Sequence, residues 1–121
     1  MARVLIIDDE EYVRMTLSQA LEDEGHTVAL AVNGSEGLRH YSQSPADLVI
    51  TDVLMPDKEG IETIRELRAI DPKAKIVVIS GGARINNVDF LEIARKFGAM
   101  AALKKPFPLD EFRRVIAECL A

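Results

Sequence analysis

Five short apolar runs, at 3–7, 27–31, 47–51, 75–80 and 100–104, alternate with longer segments in which apolar residues recur every three or four positions. That alternation is the strongest constraint on the fold. The runs are rich in Val, Ile, Leu or Ala and nearly continuous in hydrophobicity, as strands covered on both faces must be. The intervening spacing predicts helices over 10–24, 34–42, 58–70, 85–97 and 108–120. Val13, Leu17, Ala20 and Leu21 line one stripe of the first helix, and Ile61, Ile64 and Leu67 one stripe of the third. Leu109, Phe112, Val115, Ile116 and Leu120 repeat the pattern in the last. Repeated strand–helix units require right-handed crossovers, hence an α/β fold with one parallel sheet and helices on both faces.

Punctuation agrees. Gly25 and Gly98 stand where the first and fourth helices should end, a left-handed position that favours glycine. Asn33 is placed to cap the second helix, with Glu36 three residues on. Pro72 follows the third helix and stops it; Pro108 suits the first turn of the last.

At 121 residues the chain makes one domain with a single sizeable core. A net charge of −5 without a basic stripe argues against direct nucleic-acid binding. Apolar runs of four or five residues are too short to cross a membrane, and no signal-peptide core follows Met1. Cys119 is the only cysteine, so no internal disulfide forms, and a cytoplasmic location is expected. Cys119 itself reads as a small helix residue with an inert thiol.

The chemistry sits at strand ends. Asp8-Asp9 follow the first run, Asp52 the third, Ser80 the fourth and Lys105-Pro106 the fifth. In an open parallel sheet, ligands bind beyond the carboxyl ends of the strands. These residues should therefore meet in one acidic pocket holding a hydroxyl and a lysine. Three carboxylates with so little positive charge call for a counter-ion, and a hard divalent metal with oxygen ligands supplies it. A carboxylate so placed can act as nucleophile toward phosphorus. Glu10 and Glu11 read as ordinary acids at a helix N-terminus. Pro106 can adopt a cis bond that aims Lys105.

The ordered set Asp8-Asp9, Asp52-x-x-Met55-Pro56, Ser80 and Lys105-Pro106-Phe107 resembles the receiver domain of two-component response regulators, over essentially the whole chain. The resemblance implies a flavodoxin-like doubly wound (βα)5 fold with a five-stranded parallel sheet in the order 2-1-3-4-5. It makes Asp52 the phospho-acceptor. Magnesium, or manganese, would be held by Asp9, Asp52 and the main-chain carbonyl of Leu54, with Asp8 acting through water. Ser80 and Lys105 would take phosphoryl oxygens, and Pro106 would orient the lysine. The implied function is that of a signalling phosphoprotein rather than an enzyme, its only catalysis being on its own phosphoryl group. A histidine kinase or histidine phosphotransfer protein would be the donor. The surface of the fourth helix, fifth strand and fifth helix would bind a downstream protein target. Residues 1–121 would form a single receiver domain with no output domain.

The chain also departs from the family pattern. Ala102 occupies the place, three residues before Lys105, where an aromatic switch residue often stands. Output should then pass through the Ser80-Gly81-Gly82 loop into the fourth helix. There, Phe90, Ile93 and Phe97 form a second apolar stripe beside Leu91 and Ala94, suited to a partner or a homodimer. Leu54 and Gly82, two residues beyond Asp52 and Ser80, cannot hydrogen-bond an attacking water through their side chains, so a long-lived phosphoform is expected. A haloacid-dehalogenase-like phosphatase, which also forms an aspartyl phosphate, is the alternative; it wants a second aspartate where Leu54 stands. A flavin carrier is disfavoured because Asp8-Asp9-Glu10-Glu11 would repel its phosphate.

Overall fold

A computed structural model describes residues 1–52, 59–80, 84–85, 88–89, 92 and 95–121. Strands β1 (Arg3–Ile7), β2 (Thr27–Ala31), β3 (Leu48–Asp52), β4 (Ile76–Ser80) and β7 (Ala101–Lys104) form one parallel sheet in the order β2-β1-β3-β4-β7. Counted along the sheet's own strands this is 2-1-3-4-5. Helices α1 (Glu11–Asp23), α2 (Gly34–Gln43) and α3 (Glu59–Ile70) lie in crossovers between strands, and α4 (Leu109–Leu120) follows the last strand; together they form the two outer layers.

Alternation along each strand divides the interior in two. Val4, Ile6, Leu48, Ile50, Val77 and Ile79 pack with Leu17 and Leu21 of α1 and Phe112 and Ile116 of α4. Leu5, Ile7, Val49, Ile76 and Val78 face the other way, onto Tyr41 of α2 and Ile64 and Leu67 of α3. The buried central strands explain their unbroken apolar character. The hydroxyl of Tyr41 donates to Asp71 at 2.8 Å. Burial, then that hydrogen bond, pushes the phenol up to about 12, while the same bond holds the Asp71 carboxyl below its ordinary value.

The caps follow the sequence closely. Asn33 accepts the Glu36 N–H at 2.8 Å, and Gly25 and Gly98 take φ of +89° and +105°. Pro108 is the N-cap of α4 rather than its first helical residue, and its C=O takes the Phe112 N–H at 3.1 Å. β2 departs from the expectation of strands covered on both faces: Thr27, Ala29 and Leu30 are exposed, because this edge strand pairs only with β1.

The helix expected over 85–97 does not begin at 85. Short strands β5 (Arg84–Ile85) and β6 (Val88–Asp89) pair antiparallel there, and helical residues are described only at 92 and 95–96. Ile85 and Val88 are β-branched and two asparagines separate them in the sequence, a composition that disfavours helix. Of the second apolar stripe, only Phe97 is described. It is exposed, with the Arg65 guanidinium 5.9 Å from its ring centre. Phe90, Leu91, Ile93 and Ala94 lie outside the described residues. Among the described residues, no helix is long and apolar enough to cross a membrane.

Candidate functional site

Parallel register brings the acids together. Ile7 aligns with Thr51, so Asp8, one residue beyond β1, comes beside Asp52, the last residue of β3. Ser80 ends β4 and aligns with Lys104, which brings Lys105 next to it; the Lys105 N–H donates to the Ser80 C=O at 2.7 Å. The Lys105–Pro106 bond is cis.

Lys105 reaches across the carboxyl edge of the sheet. Its Nζ lies 3.0 Å from Asp8 Oδ2, 3.0 Å from Asp52 Oδ2 and 3.2 Å from Glu10 Oε1. Asp8 and Ser80 are wholly buried and Asp52 almost so, whereas Asp9 and Glu10 are exposed at the rim. Burial works against the charge on Lys105, but hydrogen bonds and attraction from Asp52 and Asp8 prevail and hold its pKa above the ordinary lysine value. The ammonium is therefore permanently charged at neutral pH.

Asp8 is fixed at every polar group. Its N–H donates to the Ala31 C=O at 3.1 Å, and its Oδ1 accepts the Glu10 N–H at 2.8 Å. Its C=O takes the Arg14 guanidinium at 2.7 Å. Carboxylate oxygens of Asp8, Asp9, Glu10 and Asp52 all lie within 4.8 Å of one another. Such a set of hard oxygen donors, with one lysine for its charge, fits a small divalent cation.

The expected residues Asp8, Asp9, Asp52, Ser80 and Lys105 thus converge. Pro106 lies exposed beside them, and Ala102 sits half-buried in β7 against the α2/α3 core. Leu54 and Gly82 lie outside the described residues. Two members of the site were not foreseen. Glu10 is more than a helix-end acid: it is the N-cap of α1, makes no side-chain cap bond, and turns its carboxylate to Lys105. Arg14 follows Asp8 by six residues, one turn into α1, and that offset alone would have placed its side chain near the strand end. Glu11 is an ordinary first-turn acid of α1, as expected. Burial pushes the Cys119 thiol up, with Glu118 adding to the effect and Lys75 opposing it, which keeps it inert at neutral pH.

Buried aspartates thus gather around a lysine at the carboxyl edge of a 2-1-3-4-5 sheet. The response regulator receiver domain family model matches residues 4–117, and the chain belongs to that family. The chemotaxis protein CheY of Bacillus subtilis is 32% identical over 98% of this chain and 97% of its own length. Sporulation initiation phosphotransferase F of the same organism is 27% identical over 98% and 93%. The transcriptional regulator NtrC of Azospirillum brasilense is 36% identical over 98% of this chain, which spans only 24% of that protein. A receiver domain from Clostridium thermocellum superposes with a TM-score of 0.87 at 30% identity, covering 99% of this chain and 94% of that one. The function is that of a response-regulator phospho-acceptor, a signalling domain and not a classical enzyme; the dehalogenase-like alternative gains no support.

Proposed function

We propose that Asp52 is the residue phosphorylated, and that the phosphoryl group comes from the phosphohistidine of a histidine kinase or a phosphotransfer protein. The observation that carries this reading is the cluster of Asp8, Asp9, Glu10 and Asp52, three of which, Asp8, Glu10 and Asp52, contact the ammonium of Lys105. In the transfer, an Asp52 oxygen forms a bond to phosphorus while the bond from phosphorus to the imidazole nitrogen breaks, and the imidazole leaves with its electron pair. Phosphoryl transfer depends mainly on in-line positioning and charge neutralisation. Lys105 already contacts Asp52 and follows the phosphoryl oxygens as charge builds on them. The Ser80 hydroxyl supplies a second bond to those oxygens.

Asp9, Asp52 and the Leu54 carbonyl would hold magnesium, with manganese as a substitute, and Asp8 would act through water. When bound, the ion offsets the negative charge of the donor phosphate and the acids. With the ion bound, the same groups would let the domain take phosphate from a small donor and release it to water. Phosphorylation would then alter the segment after Ser80 and its binding surface for a downstream protein. The NtrC4 receiver domain is a dimer in its beryllofluoride-activated form; a homodimer through 85–97 is the corresponding expectation, read by sedimentation before and after phosphorylation.

The test is incubation with acetyl phosphate and magnesium, followed by intact mass and peptide mapping. One added phosphoryl group on the peptide containing Asp52 is expected. It should be absent in Asp52→Asn and strongly reduced in Asp9→Ala. Undiminished uptake by Asp52→Asn overturns the assignment.

A further inference from the structure

We propose that Arg14 is a positioning residue that shapes the Asp8–Glu10 run for a divalent cation, an inference resting on the metal-assisted reading above. The side chain of Arg14 holds the start of the run: its guanidinium donates to the Asp8 C=O at 2.7 Å, while its main-chain N–H makes the ordinary first helical bond to the Glu10 C=O at 3.1 Å. Asp9 lies between these two residues, its exposed carboxylate within the four-acid cluster. The chemistry of the guanidinium bond matters. An arginine among acids favours forking onto a carboxylate, which would cap that carboxylate against a cation. Bonding to the main-chain carbonyl fixes the backbone and leaves the Asp8 carboxylate to Lys105 and the Glu10 N–H.

The sign of the effect separates positioning from plain charge. Removing a cation beside a divalent-ion site should tighten the ion by Coulomb's law. Removing a group that orients the ligands should weaken it, by roughly tenfold for an outer partner. The experiment titrates magnesium chloride alone into the wild-type chain, Arg14→Met and Arg14→Lys, following amide resonances of residues 8–10. The dissociation constant should rise about tenfold in Arg14→Met and return most of the way in Arg14→Lys, which keeps a cationic N–H donor. Amide exchange at Glu10 should quicken in Arg14→Met while the β4 amides of Val77 and Val78 stay unchanged.

Equal or tighter magnesium binding in Arg14→Met overturns the proposal. So does a uniform rise in exchange that includes β4, since that marks general destabilisation. The titration contains no phosphoryl donor. Weakened magnesium binding in Arg14→Met, together with a wild type that takes up no phosphoryl group in the separate acetyl phosphate assay, would therefore sink the acceptor assignment and leave the positioning role standing.

Discussion

The ammonium of Lys105 stands 3.0 Å from a carboxylate oxygen of Asp52, a residue 53 positions earlier in the chain. It is equally close to buried Asp8, so one cation serves acids from two different strand ends. Replacing it with methionine leaves those acids mutually repelling in a nearly dry site. Lys105→Met should lose roughly 3 kcal/mol of stability, the scale for breaking a buried pair. Added magnesium should recover part of that loss, and by more than it stabilises the wild type. The dependence on pH has a fixed sign. Because the folded-state pKa is raised, the lysine's contribution is complete below its ordinary value of 10.5 and fades as pH climbs through the higher folded value. The stability gap between wild type and Lys105→Met should therefore close at strongly alkaline pH, which urea melts at several pH values will measure. A gap that widens there contradicts the pairing.

Asp52→Asn should move stability the other way. The amide keeps the shape but removes one of the acids that share Lys105, relieving repulsion at a residue only 3% exposed. A gain on the order of 1 kcal/mol is expected, the scale of one close, water-screened charge repulsion. Thermal melts in magnesium-free buffer read it directly. A destabilised variant would show that the Asp52 pair outweighs the repulsion.

Gly37 offers a purely steric test. A Cβ built there would run into Ile7 Cδ1 and lie 2.7 Å from Ile7 Cγ1, with Ile7 wholly buried. Gly37→Ala should cost about 1–3 kcal/mol by overpacking, despite alanine's better helix propensity. Pairing it with Ile7→Val should recover part of the loss. Since Ile7 directly precedes Asp8, the single variant should also perturb the Glu10 amide. Full additivity of the two changes counts against the contact.

Phosphoform lifetime tests two residues whose role rests on family resemblance. Neither the Leu54 nor the Gly82 side chain can orient a water by hydrogen bonding. The double variant Leu54→Asn with Gly82→Glu should lose its phosphate several-fold faster, followed by intact mass after donor removal. An unchanged lifetime places control elsewhere.

The fold was legible because each strand carries its own signature. Runs such as Val4-Leu5-Ile6-Ile7 and Ile76-Val77-Val78-Ile79 are apolar on both faces, Asn33 is the N-cap of α2, and Gly25 and Gly98 take the left-handed φ expected just past a helical turn. Asp8, Asp52, Ser80 and Lys105 were legible for a related reason: strand ends in a parallel sheet must meet. Glu10 was misread because a glutamate before a helix has a sufficient local explanation in the helix dipole. Only the position of Lys105, 95 residues away, reveals its second partner. The 85–97 segment failed for the opposite reason. Its periodicity looks helical, but Ile85 and Val88 favour extended backbone, and period alone cannot weigh the two.

The sheet separates two apolar cores, one under α1 and α4 and one under α2 and α3, while the acidic site draws on the strand ends that belong to both. Changes in one core need not disturb the other, since neighbouring strand residues point to opposite sides of the wall. Each flank of the molecule can thus drift in sequence on its own while the seam of strand ends between them stays intact.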